Sequence, residues 1–401
     1  MDILGIILIL LCIASVIYHI LAAYCAGHFY IRYIKNIGRY RREKGDYEAG
    51  KYPKVLCFKP LCGEDRFTFN NVGSFMNMFY PEYKHKLLLG IADYKDPAYK
   101  NVARVLKRVS PYRVIISLGE IKTGSNAKVR NMMNMERYIP PGIDVVIISD
   151  ADVRVEADYI RAMVEPFLED PNIGATTAIY KIARDVELPE VLEAAFVGLN
   201  FIPSVLLVSH FSDLKYAFGA SIAIRADVLE KIGGFSSLKD YLADDYMLAQ
   251  KIVKAGYKIK LVDYIVDIMP STKRAKDAIL HILRWMRTIK TCNPLGYFFS
   301  IVCYPTLWGV LACFYFGPAS FGVYLLGLCG FTRMICSALY LAWTKNEIFK
   351  AVAAPAWDWI TTFMWIWSFL GNTVKWNNKE YKVLSDGRFY EIKEKRASRL
   401  I

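Results

Sequence analysis

Two closely spaced carboxylates directly follow an apolar segment in the first half of the chain. The run DVVIIS, residues 144–149, reads as a buried strand, and Asp150 and Asp152 come immediately after it. Two carboxylates in an Asp-x-Asp spacing can share one hard cation, since Mg²⁺ or Mn²⁺ takes oxygen ligands and often completes its coordination with substrate phosphates. Acidic pairs are also common in ordinary turns, so the position after a strand is what favours a metal site.

A second acidic pair, Asp244 and Asp245, follows a loop and opens a predicted helix. Acidic side chains in a first helical turn can simply stabilise the helix, because the N-terminal end of the helix dipole is positive. Alternatively, Asp245 can act as a general base that takes a proton from a hydroxyl group. A partly buried carboxylate beside another carboxylate has a raised pKa, which suits that role.

A basic and aromatic cluster lies on the predicted helix 276–291. His281, Arg284 and Trp285 are spaced i, i+3 and i+4, so they share one face of this helix. The planar guanidinium of Arg284 can bind a diphosphate, and Trp285 offers a flat surface for a sugar or an acceptor. Arginine and tryptophan are also common anchors at a membrane interface, so the cluster has two interpretations.

These side chains need a sheet to bring them together, and the hydrophobic pattern predicts one. Short apolar runs indicate strands at residues 55–60, 87–93, 113–119, 144–150 and 221–225. Amphipathic segments predict helices at residues 125–138, 156–169, 226–234 and 244–255. Strands that alternate with helices indicate βαβ units and a mostly parallel sheet, in which ligands bind beyond the carboxyl ends of the strands. Asp93 and Asp150 stand at such ends, where Asp93 binds a nucleotide edge or caps a turn.

Two long uncharged segments flank this predicted domain. Residues 3–26 and 291–332 carry no charged side chain, and a membrane-spanning helix needs about 20 apolar residues. We expect spans at residues 3–26, 296–316 and 319–343. The first segment lacks the basic start and the small-x-small site of a cleaved signal peptide. The segment 196–208 is too short to span, so it is either core or an interfacial helix.

Basic residues follow the first apolar segment directly, and the positive-inside rule then places the N-terminus outside and the domain in the cytosol. These residues are Arg32, Lys35, Arg39, Arg41, Arg42, Lys44 and Lys51. The net charge of +13 does not indicate nucleic-acid binding, because much of the excess lies beside membrane segments and no nucleic-acid motif occurs. We expect a re-entrant or interfacial helix at 356–374, a cytosolic basic tail at 375–401, and an Arg333 that faces protein or snorkels.

The predicted organisation is an N-terminal membrane helix at 1–30, a domain at 50–275, an interface helix at 276–292, a membrane region at 293–374 and the tail. Six motifs in this order resemble the ceramide glucosyltransferases, a membrane-bound branch of the inverting GT-A glycosyltransferases. The motifs are KPLCG (59–63), LLLGIADYKDPA (87–98), KTGSNAKVRN (122–131), SDADVRV (149–155), YLADDY (241–246) and HILRW (281–285). The sequence resembles the bacterial hopanoid glycosyltransferases almost as closely.

The resemblance implies a GT-A fold, a Rossmann-like mixed sheet with helices on both faces, between N-terminal and C-terminal membrane helices. It implies donor contacts at Asp93, Lys122, Asn126, Lys128, Asp150 and Arg284, a divalent cation (Mg²⁺ or Mn²⁺) at Asp150 and Asp152, and Asp245 as the base. Trp285 and His281 would face the acceptor. His281 departs from the Gln or Arg usual in that motif, and VGLNFIP (197–203) departs from the histidine-proline of the animal enzymes.

The implied reaction is inverting transfer of a hexose from a UDP-sugar, with UDP-glucose expected, to a hydroxyl of a membrane lipid, with ceramide expected. The protein would be integral to a bacterial inner membrane or a Golgi or ER-type membrane. Alternatives are transfer of N-acetylglucosamine from its UDP donor to a hopanoid or another polyol lipid, and a processive polysaccharide synthase. A non-enzymatic membrane scaffold is disfavoured, since Asp245 and the Asp150–Asp152 pair are both present.

Overall fold

A computed structural model describes residues 2–43, 52–63, 66–107, 111–318, 321–344, 348–376 and 379–392. The α-helices of these residues are α1 Ile3–Arg42, α2 Thr68–Ser74, α3 Ala98–Leu106, α4 Ala127–Glu136, α5 Tyr159–Glu169, α6 Leu188–Phe196, α7 Ile202–Phe211, α8 Ala226–Lys231, α9 Asp244–Lys254, α10 Ala275–Cys292, α11 Pro294–Phe299, α12 Pro305–Phe316, α13 Phe321–Trp343 and α14 Ala354–Phe369. The strands are β1 Val55–Leu61, β2 His85–Ile91, β3 Val114–Leu118, β4 Val145–Ile148, β5 Val153–Arg154, β6 Ile173–Ile182, β7 Ile222–Arg225, β8 Lys258–Ile268, β9 Thr373–Trp376, β10 Lys379–Val383 and β11 Phe389–Glu391.

The first eight strands form one sheet in the order β3-β2-β1-β4-β7-β6-β8-β5. Strands β1 to β4 pair in parallel, whereas β7 runs antiparallel to both β4 and β6. Both faces are covered, because Val55 and Cys57 of β1 belong to one apolar cluster and Leu56 and Phe58 to another. Each predicted strand of this domain is present. The predicted GT-A-type α/β fold, a mixed sheet with helices on both faces, is confirmed.

Helix α1 is much longer than the predicted span of residues 3–26. Its 40 residues extend about 60 Å at the usual helical rise, about twice the thickness of the hydrocarbon core. The second half packs on the α/β domain through ion pairs of Arg32 with Asp263 and of Arg39 with Glu165, at 2.9 and 2.5 Å. These arginines therefore attach the domain to the helix. Lys44 and Lys51 lie outside the described residues.

Three described helices are long and apolar enough to cross a membrane: Ile3–Arg42, Leu188–Phe211 and Phe321–Trp343. A fourth candidate is the pair Pro294–Cys303 and Pro305–Phe316, which is bent by 61°. The second helix was predicted to be too short to span, at 196–208. It is longer because a capping box at Glu187 and Glu190 starts it earlier, and a π-turn at Val197–Phe201 joins α6 to α7.

Arg333 of α13 is fully buried and faces protein, as predicted. Its Nε lies 2.8 Å from Oδ1 of Asp358 on α14, and its Nη1 donates to the Leu199 carbonyl at 3.1 Å. The hydroxyl of Thr306 on α12 donates to the same carboxylate at 2.9 Å. One ion pair therefore connects three C-terminal helices with the π-turn.

The chain returns to the α/β domain after α14. Strands β9, β10 and β11 form a second, antiparallel sheet, and Phe389 N–H donates to the Asp240 carbonyl at 3.1 Å. This part of the predicted tail thus lies on the same side of the molecule as the domain. Residues 393–401 of the tail lie outside the described residues.

Candidate active site

Asp245 lies in the first turn of α9, beyond the ends of the central strands. Its Oδ2 accepts a hydrogen bond from Gly219 N–H at 2.8 Å, and its Oδ1 accepts one from Tyr246 N–H at 2.7 Å. Burial and the neighbouring Asp244 raise the pKa of Asp245 to about 6, against the opposing effect of Lys128. The side chain is therefore held in one orientation and has the proton affinity that a general base needs near neutral pH.

Lys128 of α4 connects the two acidic pairs. Its Nζ lies 2.6 Å from Asp150 Oδ1 and 3.4 Å from Asp244 Oδ2. Burial lowers the pKa of Lys128, but the carboxylates outweigh burial and the pKa lies above its ordinary value. The amine is therefore a fixed cation between both acidic pairs.

Gly219 marks where these groups meet. A Cβ atom built on it would lie 3.3 Å from Asp245 Oδ2, 3.4 Å from Lys128 Nζ and 3.5 Å from Asp150 Oδ2. The structure thus brings together Asp150, Lys128 and Asp245, three of the residues that the sequence predicted. A Cβ atom at residue 219 would therefore contact all three groups, most tightly the carboxylate of Asp245.

Asn126 is fully buried beneath this centre rather than open to it. Its Oδ1 accepts from Val129 N–H at 3.2 Å and caps α4, and its Nδ2 donates to the Tyr241 carbonyl at 2.9 Å. The side chain therefore fixes the helix that carries Lys128 to the loop that leads to Asp245. A direct contact of Asn126 with a donor stays a prediction.

Arg284 reaches the same centre from α10. Burial lowers the pKa of the Arg284 guanidinium, and the negative charges of Asp150 and Asp245 oppose this effect. Within the described part of the chain its guanidinium has no hydrogen bond or ion pair, and it lies 5.8 Å from the ring centre of Trp376. A cation without a protein anion is available for an anionic ligand.

His281 and Trp285 lie one turn apart on α10, with ring centroids 4.2 Å apart. His281 Nδ1 lies 2.9 Å from Glu193 Oε1, and Thr272 donates to the same oxygen at 2.8 Å. Trp285 stacks on Phe196 at 5.8 Å. Both predicted acceptor residues therefore contact helix α6, and burial lowers the pKa of His281.

Asp93 and Lys122 are exposed and less constrained than the central residues. Asp93 Oδ1 accepts from Lys95 N–H at 2.9 Å, which is the turn contact that the sequence offered as an alternative. Lys122 lies in the irregular segment before α4. Nucleotide contacts at these two residues stay predictions.

Lys59 of β1 was not predicted as a site residue, yet it is fully buried directly beneath the Asp150–Asp152 turn. Its Nζ donates to the carbonyls of Asp150 at 2.5 Å and Val153 at 3.0 Å. Burial lowers the pKa of Lys59 to about 7, and the charge of Asp152 is the strongest opposing influence. The KPLCG motif contains this lysine, but only the fold shows that it holds the turn from below.

Tyr180 of β6 is a second residue that the sequence did not indicate. Its ring stacks on Phe201 of the π-turn at 4.8 Å and meets Phe218 edge-on at 6.3 Å. Burial, followed by the charges of Asp245 and Asp150, raises the pKa of Tyr180. In the described part of the molecule its hydroxyl has no hydrogen bond. An aromatic wall therefore runs from the carboxylates of Asp150 and Asp245 to the apolar helix 188–211.

The side chains present fit a hard divalent cation that is shared with a ligand. Among the described residues no group of three or more His, Cys, Asp or Glu side chains is arranged to hold a metal by itself. Asp150 keeps 37% of its side chain exposed despite the contact with Lys128. Mg²⁺ and Mn²⁺ commonly take one or two carboxylates and complete their coordination with phosphate oxygens, so a cation at Asp150 would need a phosphate ligand.

Comparison with protein families gives one match across nearly the whole chain. The family described as glycosyl transferase family 21 matches residues 7–389. Ceramide glucosyltransferase 3 of Caenorhabditis elegans is 24% identical over 252 residues, which are 62% of this chain and 53% of that protein. Ceramide glucosyltransferase 1 of the same organism is 26% identical over 51% of this chain and 43% of that protein. The chain thus spans about half the length of the curated relatives it matches.

Solved structures also align with the chain at low identity. The mannosyltransferase PcManGT from Pyrobaculum calidifontis, in complex with GDP-Man and Mn²⁺, aligns at 16% identity over 88% of this chain and 96% of that one, with a TM-score of 0.49. S. aureus TarS 1-349, in complex with UDP-GlcNAc, aligns at 11% identity over 84% of this chain and 99% of that one, with a TM-score of 0.39.

Proposed function

Because the chain belongs to glycosyl transferase family 21, we propose that it transfers a hexose from a UDP-sugar to a hydroxyl group of a membrane lipid, with inversion at the anomeric carbon. The observation that carries this proposal is the position of Asp245. A half-buried carboxylate with a pKa raised to about 6 lies beside the cations Lys128 and Arg284, so a proton acceptor adjoins a site for a diphosphate.

The reaction is a single displacement. The acceptor oxygen attacks the anomeric carbon of the donor while its proton passes to Asp245, and the bond between that carbon and the diphosphate oxygen breaks. The bonding electrons leave with UDP, so an α-linked donor gives a β-glycoside. The Gly219 and Tyr246 amides hold the two oxygens of Asp245 in place, so the base need not reorient during the step.

The leaving diphosphate is stabilised by charge. Arg284 of α10 binds it through its planar guanidinium, and Lys128 of α4 contributes a second positive charge. When a divalent cation is bound, Asp150 with Asp152 would hold it and its charge would neutralise the diphosphate. Lys59 keeps the Asp150–Asp152 turn in position from below. Asp93 and Lys122 contact the nucleotide and the phosphates at the rim.

The acceptor approaches along the aromatic wall of Tyr180 and Phe201, with Trp285 and His281 on its other side. The apolar helix 188–211 leads to this wall, which suits a lipid whose hydroxyl lies close to its hydrocarbon. Ceramide is the proposed acceptor and glucose the proposed sugar, in keeping with the two ceramide glucosyltransferases of C. elegans. N-acetylglucosamine transfer to a hopanoid or another polyol lipid is the second candidate.

The domain faces the cytosol in this proposal, with α1, the bent pair at residues 294–316 and α13 crossing the membrane. Up to four described helical segments are long and apolar enough to span. A processive synthase needs enough helices to enclose a channel, so we favour transfer of a single sugar.

A transfer assay tests the function directly. The purified chain in lipid nanodiscs is incubated with UDP-glucose or the UDP donor of N-acetylglucosamine, each with ceramide or a hopanoid polyol. We expect a β-glucosylated ceramide from the wild type and at least about a hundredfold less of it from Asp245→Asn at equal times. Product formed only with a hopanoid would support the second candidate, and product that grows into a polymer would contradict the proposal.

A further inference from the structure

The C-terminal sheet shares its small core with the catalytic domain. Strands β9, β10 and β11 bury Val374, Tyr381, Val383 and Phe389, and the cluster is completed by Leu242. Leu242 lies only three residues before Asp245, in the loop that leads into α9. The sheet is therefore packed against the loop that carries the base.

Backbone hydrogen bonds fix the same loop to the sheet. Leu242 N–H donates to the Gly387 carbonyl at 3.1 Å, and Phe389 N–H donates to the Asp240 carbonyl at 3.1 Å. Tyr241 and Arg388 form an antiparallel bridge between these two bonds. The loop 240–242 therefore acts as a short extra strand at the edge of the sheet.

The other side of this loop is held by the donor-side segment. Asn126 N–H donates to the Lys239 carbonyl and its side chain donates to the Tyr241 carbonyl, both at 2.9 Å. Ser125 N–H donates to Asp240 Oδ1 at 3.2 Å. The loop is thus clamped between the segment before Lys128 and the C-terminal sheet.

The sheet also contacts the helix that carries Arg284. Trp376 of β9 lies with its ring centre 5.8 Å from the guanidinium carbon of Arg284, and Arg287 donates to the Thr373 carbonyl. Lys290 donates to the Ser368 carbonyl of α14 at 2.5 Å and to the Gly371 carbonyl, between α14 and β9, at 3.4 Å. An aromatic face attracts a guanidinium and restricts its rotamers without neutralising its charge.

We propose that the C-terminal sheet is a positioning part of the active site, with Trp376 orienting Arg284 toward the donor diphosphate and the edge of β11 orienting the loop that carries Asp245. The proposal rests on the proposed function in taking Arg284 as a diphosphate ligand. A carboxylate at the position of Trp376 would have neutralised the cation, whereas an aromatic ring leaves it free to bind a phosphate.

The first test is UDP binding to the purified full chain in detergent, measured by calorimetry with Mn²⁺ present. Trp376→Ala should weaken the affinity for UDP about tenfold, since the contact of a cation with an aromatic face is lost, and Trp376→Phe should restore most of it. The control is Tyr390→Ala, whose side chain is exposed on the same sheet, and it should bind UDP as the wild type does. Melting temperatures of the variants should agree.

Wild-type affinity in Trp376→Ala would overturn the role of Trp376. Binding of UDP needs no acceptor, so this test decides the proposal even if no lipid is glycosylated and the proposed function fails. A loss of affinity that Trp376→Phe does not restore would also overturn it.

The second test concerns the loop. Phe389→Ala removes the apolar contact with Leu242, so the sheet should become more sensitive to limited proteolysis and kcat should fall about tenfold or more. A chain whose sheet is cleaved more readily but whose kcat and UDP affinity match the wild type would overturn the proposal.

Discussion

At the scale of single residues, Asp245 is the group whose surroundings are most specific. Burial disfavours its charge, two amide hydrogen bonds favour it, and Lys128 and Asp244 act in opposite directions. The result is a carboxylate that is charged at neutral pH yet binds a proton readily. These neighbours come from three segments that are distant in sequence.

We expect Asp245→Asn to keep the fold and UDP binding but to lower kcat by about 10²–10⁴, which is the usual contribution of a general base. The amide has nearly the shape of the carboxylate but cannot accept the proton. Single-turnover rates with saturating donor and acceptor provide the measurement. A variant with near-normal turnover would remove Asp245 from the mechanism.

The pH dependence follows from the same group. A base acts only when it is deprotonated, and the pKa of Asp245 is raised to about 6, so kcat should be high above pH 6 and should fall as pH drops through this value. The pH–rate profile between pH 4.5 and 8 checks the sign. A profile that is flat below pH 6 would contradict this assignment.

The acidic turn should respond to metal removal. If Asp150 and Asp152 hold a cation that also binds the diphosphate, EDTA should weaken UDP affinity and added Mn²⁺ should restore it. Asp150→Ala should show the same loss with metal present. UDP affinity that is unchanged by both treatments would mean that the turn is structural.

The role of Lys59 beneath the Asp150–Asp152 turn could not be predicted from the sequence. The Asp-x-Asp spacing and the position of Asp245 at a helix start are local patterns, so the sequence revealed them. A lysine inside a strand gives no local sign that carbonyls 91 and 94 residues away will bind its amine. Tyr180 was not predicted for the same reason, since the ring on which it stacks, Phe201, lies on the π-turn.

At the scale of elements, five of the eight strands in the main sheet were predicted closely, because their short apolar runs are buried in its core. Strands β5, β6 and β8 of the same sheet were not predicted. The end of α1 was not predicted, because an apolar run marks the lipid-facing part of a helix and not the point where the helix ends. The C-terminal sheet was also missed. Its strands have three to five residues, and its core needs Leu242 from far upstream in the chain.

The pair of Arg333 and Asp358 is an element-scale contact, because it connects α13 to α14 with no exposed surface on either side chain. We expect Arg333→Met and Asp358→Leu each to destabilise the protein by about 3–5 kcal/mol, since each leaves an uncompensated buried charge. The double variant should recover most of this loss. Thermal unfolding in detergent measures it, and single variants as stable as the wild type would contradict the expectation.

At the scale of the whole molecule, contacts place the N-terminus and the C-terminal sheet at opposite ends of the membrane helices. Asp2 at the start of α1 accepts a hydrogen bond from Tyr315 at the end of α12. At the opposite end of the membrane helices, Lys350 donates to the Asp185 carbonyl at 3.0 Å, and β9 to β11 contact the α/β domain. The N-terminus and the turn after α12 therefore lie away from the domain, and the C-terminal sheet lies with it.

This arrangement makes the topology testable with introduced cysteines. In a background with the exposed Cys62 replaced by serine, we expect Tyr390→Cys to react with an impermeant thiol reagent only after the cells are permeabilised. The C-terminal sheet and the domain should share the cytosolic side, because the basic residues after α1 favour that side. The matched control is Pro318→Cys in the turn after α12, which should react in intact cells. Labelling of Tyr390→Cys in intact cells, with Pro318→Cys protected, would invert the proposed orientation.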